Sequence, residues 1–462
     1  MSFGTPQELL ERALEASVST ACTVILDCGS SVNLRWANNT LTTNGFMTSA
    51  TMTVISMADA ANGTSAASLS RTVATIDDVG SLVADADAAA RSAGPSPDAA
   101  PAAVGDASDD WSDPVVTTSI DVFDTFAPAL GEVFGRAADA ERLLYGYVEH
   151  GVTTTYLGTS GGLRLRHVQP GGHVGITGKD RALTTSAWVG QSTRDFKDVD
   201  AVELDSQLQQ RLAWAKRSVA LEAGRYDTIL PPTAVADLMI YAYWTATARE
   251  AHEGQTVFGR PGGGTRIGER LTDSPFTLAS DPHAPGLECE PFVIARSSSS
   301  AGSVFDNGLP VEPTRWIDDG SLAALIQTRQ SAQMTESAFT PAGDNLLVTV
   351  DGATGTPESL IAGVQRGLLV TCLWYIREVD PQNLLLTGLT RDGVYLVENG
   401  EVTGAVNNFR FNESPIDLMG RFSAASSTVP SFSREWGDEF LRTATPALRI
   451  PNFNMSSVSQ AQ

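Results

Sequence analysis

The chain has 462 residues, of which 42% are hydrophobic and 18% charged, a globular composition long enough for two or three ordinary domains. Acidic side chains outnumber basic ones by 54 to 31, for a formal net charge of −23, so the surface repels a phosphate backbone and nucleic acid is not an expected partner. Four cysteines, Cys22, Cys28, Cys289 and Cys372, are too few for a disulfide scaffold and lack zinc-knuckle spacing. Glu8 and Glu11 stand where a basic leader would, and no apolar run nears the roughly eighteen residues that cross a bilayer, so a cytoplasmic protein without membrane contact is expected.

Thr5-Pro6-Gln7-Glu8 reads as a helix start, with Thr5 as cap, Pro6 at the first helical position and Glu8 closing a capping box. Period-two segments at 23–28, 32–36 and 52–57 predict strands joined by Gly, Asn and Ser turns. A helix follows Thr75 and runs into the alanines at 88–90. Residues 92–114 are mostly Pro, Ala, Ser, Gly and Asp, a composition that repays little of the entropy of ordering, and predict a mobile acidic loop. Beyond it come a helix over 123–143, strands at 152–157, 163–168 and 183–189, and turns at 158–162 and at Gly171-Gly172. A long helix over about 199–220 closes the first domain.

A strand at 225–230 leads to Pro231-Pro232-Thr233, which opens a helix with apolar Val235, Leu238, Met239, Ala242 and Ala246 at helical spacing. After Gly262–Gly264 the chain turns strand-rich, with short helices at 322–330 and at 357–365, the latter capped by Thr356 and ended by Gly367. Asn399-Gly400 predicts a two-residue hairpin turn. The expected fold class is α+β. An N-terminal α/β domain with antiparallel strands and long helices fills 1–222, a strand-rich antiparallel domain fills 223–455, and 456–462 form a disordered tail.

Chemical motifs are scarce. Gly158-Thr159-Ser160-Gly161-Gly162 matches the G-x-S-x-G of a nucleophile elbow, but the alternating Leu163-Arg164-Leu165-Arg166 that follows is a strand, where an elbow requires a helix. Residues 172–179 miss the phosphate-loop spacing by one residue and lack its magnesium-binding hydroxyl. Of five histidines, only His252 precedes a glutamate, Glu253. Thr256 and Val257 stand where a second zinc-binding imidazole would be needed, one turn on. Cys22 and Cys28, six apart on a strand, share one face and read as core thiols. Glu288, Glu290, Asp306, Asp318 and Asp319 are near one another in sequence, which means little among 54 acids.

The second half nevertheless carries an ordered series of segments. These are Asp344-Asn345-Leu346-Leu347-Val348, then Gly355-Thr356-Pro357-Glu358-Ser359-Leu360-Ile361, then Gly367-Leu368-Leu369-Val370-Thr371. With Phe305-Asp306-Asn307-Gly308-Leu309-Pro310, Thr387-Gly388, the 398–401 hairpin and residues 414–419, the series resembles the TldD/PmbA family, peptidase-like proteins once described as modulators of DNA gyrase. Tyr156 to Gly162 resembles the family's Ser-x-Gly turn. The resemblance covers about 115–454.

That resemblance implies one of two kinds of subunit. TldD-type chains carry a His-Glu-x-x-x-His zinc helix and a late cysteine ligand; TldE/PmbA-type chains lack them and pair with a TldD-type chain to form one protease. Here the stretch 233–249 has no histidine, and no cysteine follows Cys372, so the chain resembles the TldE type. The resemblance then implies no catalytic residue, metal or cofactor in this chain, zinc in a TldD-type partner, and unfolded or extended peptides as substrates. Asp306, Gly308, Asn345 and Thr371 are the family-motif positions expected to contact substrate. Two alternatives stay open: a homodimeric peptide-binding scaffold, and a self-sufficient peptidase using Ser160 or Cys372.

Overall fold

The computed structural model describes residues 4–73 and 76–459. It opens on α1 (Pro6–Ala16) with the expected capping box: Glu8 N donates to Thr5 Oγ1 at 3.2 Å and Thr5 N to Glu8 Oε2 at 2.7 Å. Two amides that the first turn would leave orphaned are thereby satisfied. The three period-two segments merge into two long strands, β1 (Ala21–Ala37) and β2 (Thr40–Ala60). Asn38 and Asn39 join them at φ of 51° and 59°, the left-handed pair of a tight hairpin.

With β3 (Gly63–Thr72), β4 (Arg142–Thr159), β5 (Arg164–Asp180) and β6 (Ser186–Thr193), these strands form an antiparallel sheet in the order β3-β2-β1-β4-β5-β6. Side-chain alternation decides what each face meets. Val24, Leu26 and Tyr156 pack under α1 and α2 (Ile76–Ser92). Val32, Leu34, Leu144 and Val148 pack under α3 (Phe126–Asp139) and α4 (Ala201–Trp214). The residues between them, Ile25, Ile55 and Leu157, face the other way and pack on Phe292, Val304 and Phe305 of the second half. Thr75, read as preceding α2, lies outside the described residues.

Several expectations need correction. Gly171-Gly172 is not a turn but the middle of β5, and α4 stops at Trp214, short of 220. Residues 321–322 form a strand and the next helix is Arg329–Thr335, later than read. The helix at 357 has its Thr356 cap but ends at Gly363; Gly367 already belongs to the strand Arg366–Val370. The tail is ordered further than expected: Ser457 and Val458 pair with Arg410 and Phe409, because the strand Leu448–Val458 finds a partner there. Residues 460–462 lie outside the described residues.

Residues 93–119 contain no regular helix or strand among the described residues. The segment is nonetheless tied down at several points. Ser108 N donates to the Arg164 carbonyl at 2.8 Å, Asp110 pairs with Arg166 at 3.1 Å, and the Trp111 ring meets Tyr156 edge-on at 5.6 Å. Asp98 accepts from Ser298 and Ser303 of the second half at 2.6 and 2.8 Å.

The second half builds two sheets, of six and ten strands, antiparallel apart from three parallel pairings. The strand Ser218–Val219 already belongs to the larger one. Asn399 and Gly400, at φ of 52° and 82°, make the predicted turn between Val394–Glu398 and Glu401–Val406. Between the sheets runs α5 (Pro232–Trp244). One apolar cluster joins its residues to Phe276, Trp316 and Val348 of the smaller sheet and to Leu368, Phe409 and Phe411 of the larger. A helix covered on all sides must be apolar all round. This one is, apart from Thr233 in its first turn and the buried Asp237.

Candidate functional site

Helix α5 starts on Pro231 and Pro232, whose fixed φ and missing amide suit a first turn. It carries no histidine. The chain breaks at Thr245, whose hydroxyl donates to the Ala242 carbonyl at 3.0 Å, and restarts as α6 (Ala248–His252). His252 is the last residue of α6 and Glu253 its C-cap, where Arg249 Nε at 3.2 Å and Gln255 Nε2 at 2.8 Å engage the carboxylate. A peptidase zinc needs two imidazoles one turn apart and a third donor. These helices offer one imidazole, and among the described residues no three His, Cys, Asp or Glu side chains converge into a group that could hold a metal ion.

Asp237 is fully buried. Its Oδ1 accepts from Ser433 Oγ at 2.5 Å and from Glu435 N at 2.9 Å, while Oδ2 has no partner among the described residues. Burial pushes its carboxyl up to about 7, against the pull of those two hydrogen bonds. A lone acid within a long apolar run was visible in the sequence; its partners, nearly two hundred residues downstream, were not.

The four family-motif positions fall into different surroundings. Asp306, in a short 3-10 turn, faces a cavity of about 300 Å³ lined also by Arg296, Ser303, Gln327, Thr328 and Phe339. Both its oxygens are engaged by Arg329, Oδ1 with Nε at 2.6 Å and Oδ2 with the backbone N at 3.1 Å. Gly308 sits at φ of 81°, a conformation that favours glycine, and an added Cβ would meet the end of the Leu163 side chain of the first domain at 2.5 Å, which would have to shift. Thr371 lines a second cavity, of about 490 Å³, with Gln191, Arg211, Trp214, Thr233 and Phe432. Its hydroxyl donates to the Gly393 carbonyl at 3.1 Å, and a Cβ on Gly393 would lie 1.8 Å from it.

Asn345 lines neither cavity. Its Nδ2 donates to the carbonyls of Asp281 at 2.5 Å and Leu287 at 2.7 Å, and its Oδ1 accepts from Asp281 N at 3.0 Å. The side chain is a clamp on the 281–287 loop, fully buried. Asn345→Ala is therefore expected to destabilise the chain by about 3 kcal/mol, since three backbone groups, one buried and two half-buried, lose their partner. Chemical denaturation checks this; a loss below about 1 kcal/mol would mean those groups re-pair elsewhere.

Ser160 caps the β4–β5 hairpin: its hydroxyl accepts from Cys22 N at 3.0 Å and its amide donates to the Cys22 carbonyl at 2.8 Å. It sits in a strand–turn–strand, as its flanking residues predicted, without the helix an elbow uses. Cys372 is buried between Trp188 and Phe432, and burial pushes its thiol up to about 11 despite Arg434 and Arg211, far from a reactive thiolate at neutral pH. Cys22 and Cys28 belong to the core under α1 and α2, and burial raises them to about 12 and 11.

Three solved structures share this architecture end to end. TldE from Thermococcus kodakarensis superposes with a TM-score of 0.75 at 15% identity, over 97% of this chain and 99% of that one. A proposed modulator of DNA gyrase from Bacteroides thetaiotaomicron gives 0.75 at 15% identity, over 98% of each chain. Another, from Thermotoga maritima, gives 0.73 at 13% identity, over 97% of this chain and 100% of that one. At such identities the likeness is one of fold. Among curated proteins none matches the chain. The family model of the PmbA/TldA metallopeptidase C-terminal domain matches residues 223–457, more than half of the chain and the stretch that holds α5 and both sheets around it; the chain belongs to the PmbA/TldD metallopeptidase family.

Proposed function

We propose that this chain is the metal-free, TldE-type subunit of a two-subunit zinc peptidase, supplying chamber wall and substrate contacts while a TldD-type partner supplies the metal. The observation that carries the reading is the donor set of α5 and α6. The helix where the family resemblance puts a zinc motif carries Asp237 but no histidine, and α6 adds the single imidazole of His252. Without two imidazoles and a third donor, these two helices cannot hold Zn²⁺ strongly enough to bring a bound water near neutral pKa. The strand-rich second domain suits an extended peptide, which a sheet edge holds by main-chain hydrogen bonds with little regard to sequence.

The test is to purify the chain alone and coexpressed with a TldD-type subunit, and to measure zinc content, peptidase activity and size. The expected result is no zinc and no activity in the chain alone, and a zinc-containing, active heterodimer when both are present. Stoichiometric zinc with peptidase activity in the isolated chain would overturn the reading. So would a homodimer that ignores the partner.

A further inference from the structure

Between the first sheet and the second domain lies a cavity of about 580 Å³, within the size range of small-molecule sites. Tyr147 on β4, His173 on β5 and Trp188 on β6 form one side, and Trp374, Phe432 and Arg434 of the second domain the other. The walls are stacked aromatics: Phe432 lies 5.4 Å from the His173 ring and 6.1 Å from Trp188. The Arg434 guanidinium rests against two indoles, 4.3 Å from the Trp188 centroid and 4.3 Å from that of Trp374.

This arginine is underused. Its side chain is 15% exposed, Nε has no hydrogen-bond partner among the described residues, and the carboxylate paired with it, Asp392, stands 4.0 Å from Nη2. Indole contacts use the face of a guanidinium and leave its in-plane N–H fork to an acceptor. A planar group with two oxygens meets that fork best. The surrounding charges choose between anions: Arg35 and Arg434 face Glu435 and Asp438 on the same cavity, with Asp392 beside Arg434. Glu435 cannot serve as the missing acceptor, because its oxygens take the amides of Tyr375 and Ile376 at 3.0 Å each. These carboxylates repel a dianionic phosphate more than a singly charged carboxylate, which the Arg434 fork can hold, while the rings suit an apolar group beside it.

We propose that this cavity binds the C-terminal carboxylate of a peptide, with Arg434 taking the carboxylate and Trp188, Trp374 and Phe432 enclosing the last apolar side chain. That the carboxylate belongs to a peptide rests on the proposed function, whereas the site lies wholly within this chain, so carboxylate binding by the chain alone is tested independently of any metal-bearing partner.

The test uses the full chain and tryptophan fluorescence, which the indoles beside Arg434 report. N-acetylphenylalanine is titrated against its amide and against N-acetylglutamic acid amide, whose only carboxylate is on the side chain. The acid is expected to bind saturably, and both amides at least about tenfold more weakly, the effect of losing one charged hydrogen-bond pair or its fit. Arg434→Gln is expected to lose the preference for the acid while keeping the wild-type circular dichroism. Equal affinity for acid and amides in the wild-type chain, an unchanged preference in Arg434→Gln, or no saturable binding of the acid would each overturn the proposal. The wild-type comparison holds even if the variant fails to fold.

Discussion

Asp237→Asn is expected to stabilise the chain at neutral and alkaline pH and to flatten the fall in stability between about pH 4 and 7. The buried carboxyl binds its proton more tightly in the folded chain, at about 7, than an ordinary carboxyl at 3.8. The stability it contributes is therefore fully present below pH 3.8 and is lost as pH rises through about 7. Above that, the buried anion weakens the fold by on the order of 4 kcal/mol. Asparagine stays neutral, and its Oδ1 can still accept from Ser433 Oγ and Glu435 N, the two bonds present now. Denaturation of both proteins at pH 5 and pH 8 checks this through the difference between them, which cancels other groups titrating in the window. A variant whose stability tracks the wild type at both pH values would show that Asp237 stays ionised or finds a counter-charge.

The second large effect is expected in the first domain, where Asp205→Ala should destabilise by about 3–5 kcal/mol, the usual result of stripping one partner from a buried ion pair. Arg142 at the start of β4 meets Asp205 on α4 through two bonds, Nη1 to Oδ1 at 2.5 Å and Nη2 to Oδ2 at 3.1 Å. Their side chains are 10% and 2% exposed. Removing the aspartate leaves a desolvated guanidinium and also strips Gln209 Nε2 of its acceptor, now 2.8 Å from Asp205 Oδ2. Replacing both partners, as Arg142→Met with Asp205→Leu, should recover most of the loss, because two apolar side chains fill the space without a charge to desolvate. Urea titrations of Arg142→Met, Asp205→Leu and the double variant decide it; additive losses would mean the pair is not coupled.

The tie between α4 and β4 matters beyond stability. Helix α4 carries Arg211 and Trp214 into the 490 Å³ cavity that Thr371 also lines, and Arg211 Nη1 donates to the Trp188 carbonyl. Trp188 in turn supports Arg434. The buried pair thus holds the helix whose end shapes one interdomain cavity and steadies the wall of another.

Local structure was legible because its causes lie within a few residues. Thr5 with Glu8, and Thr356 with Ser359, close their first turns by side chains three residues apart. Asn399-Gly400 supplies the two positive φ angles of a hairpin from its own two residues. The period-two pattern of β1 is the pattern of its two covered faces. The family resemblance was readable for the same reason, as short motifs in a set order along the chain.

What the tertiary structure alone decided depends on residues far apart in sequence. Gly171-Gly172 looks like a turn in isolation, yet it lies within β5, where a Cβ on Gly172 would meet the Glu149 carbonyl at 2.4 Å and the Phe196 ring at 2.9 Å; the glycine serves a neighbour, not a bend. Nothing near Asp306 announced Arg329, nor anything near Asn345 the 281–287 loop it clamps. The Arg434 pocket exists because Trp188 and Trp374, from different domains, close on one guanidinium. A short window of sequence encodes dihedral preference and periodicity, whereas burial, unpaired charge and the meeting of side chains are set only when the sheets and helices pack.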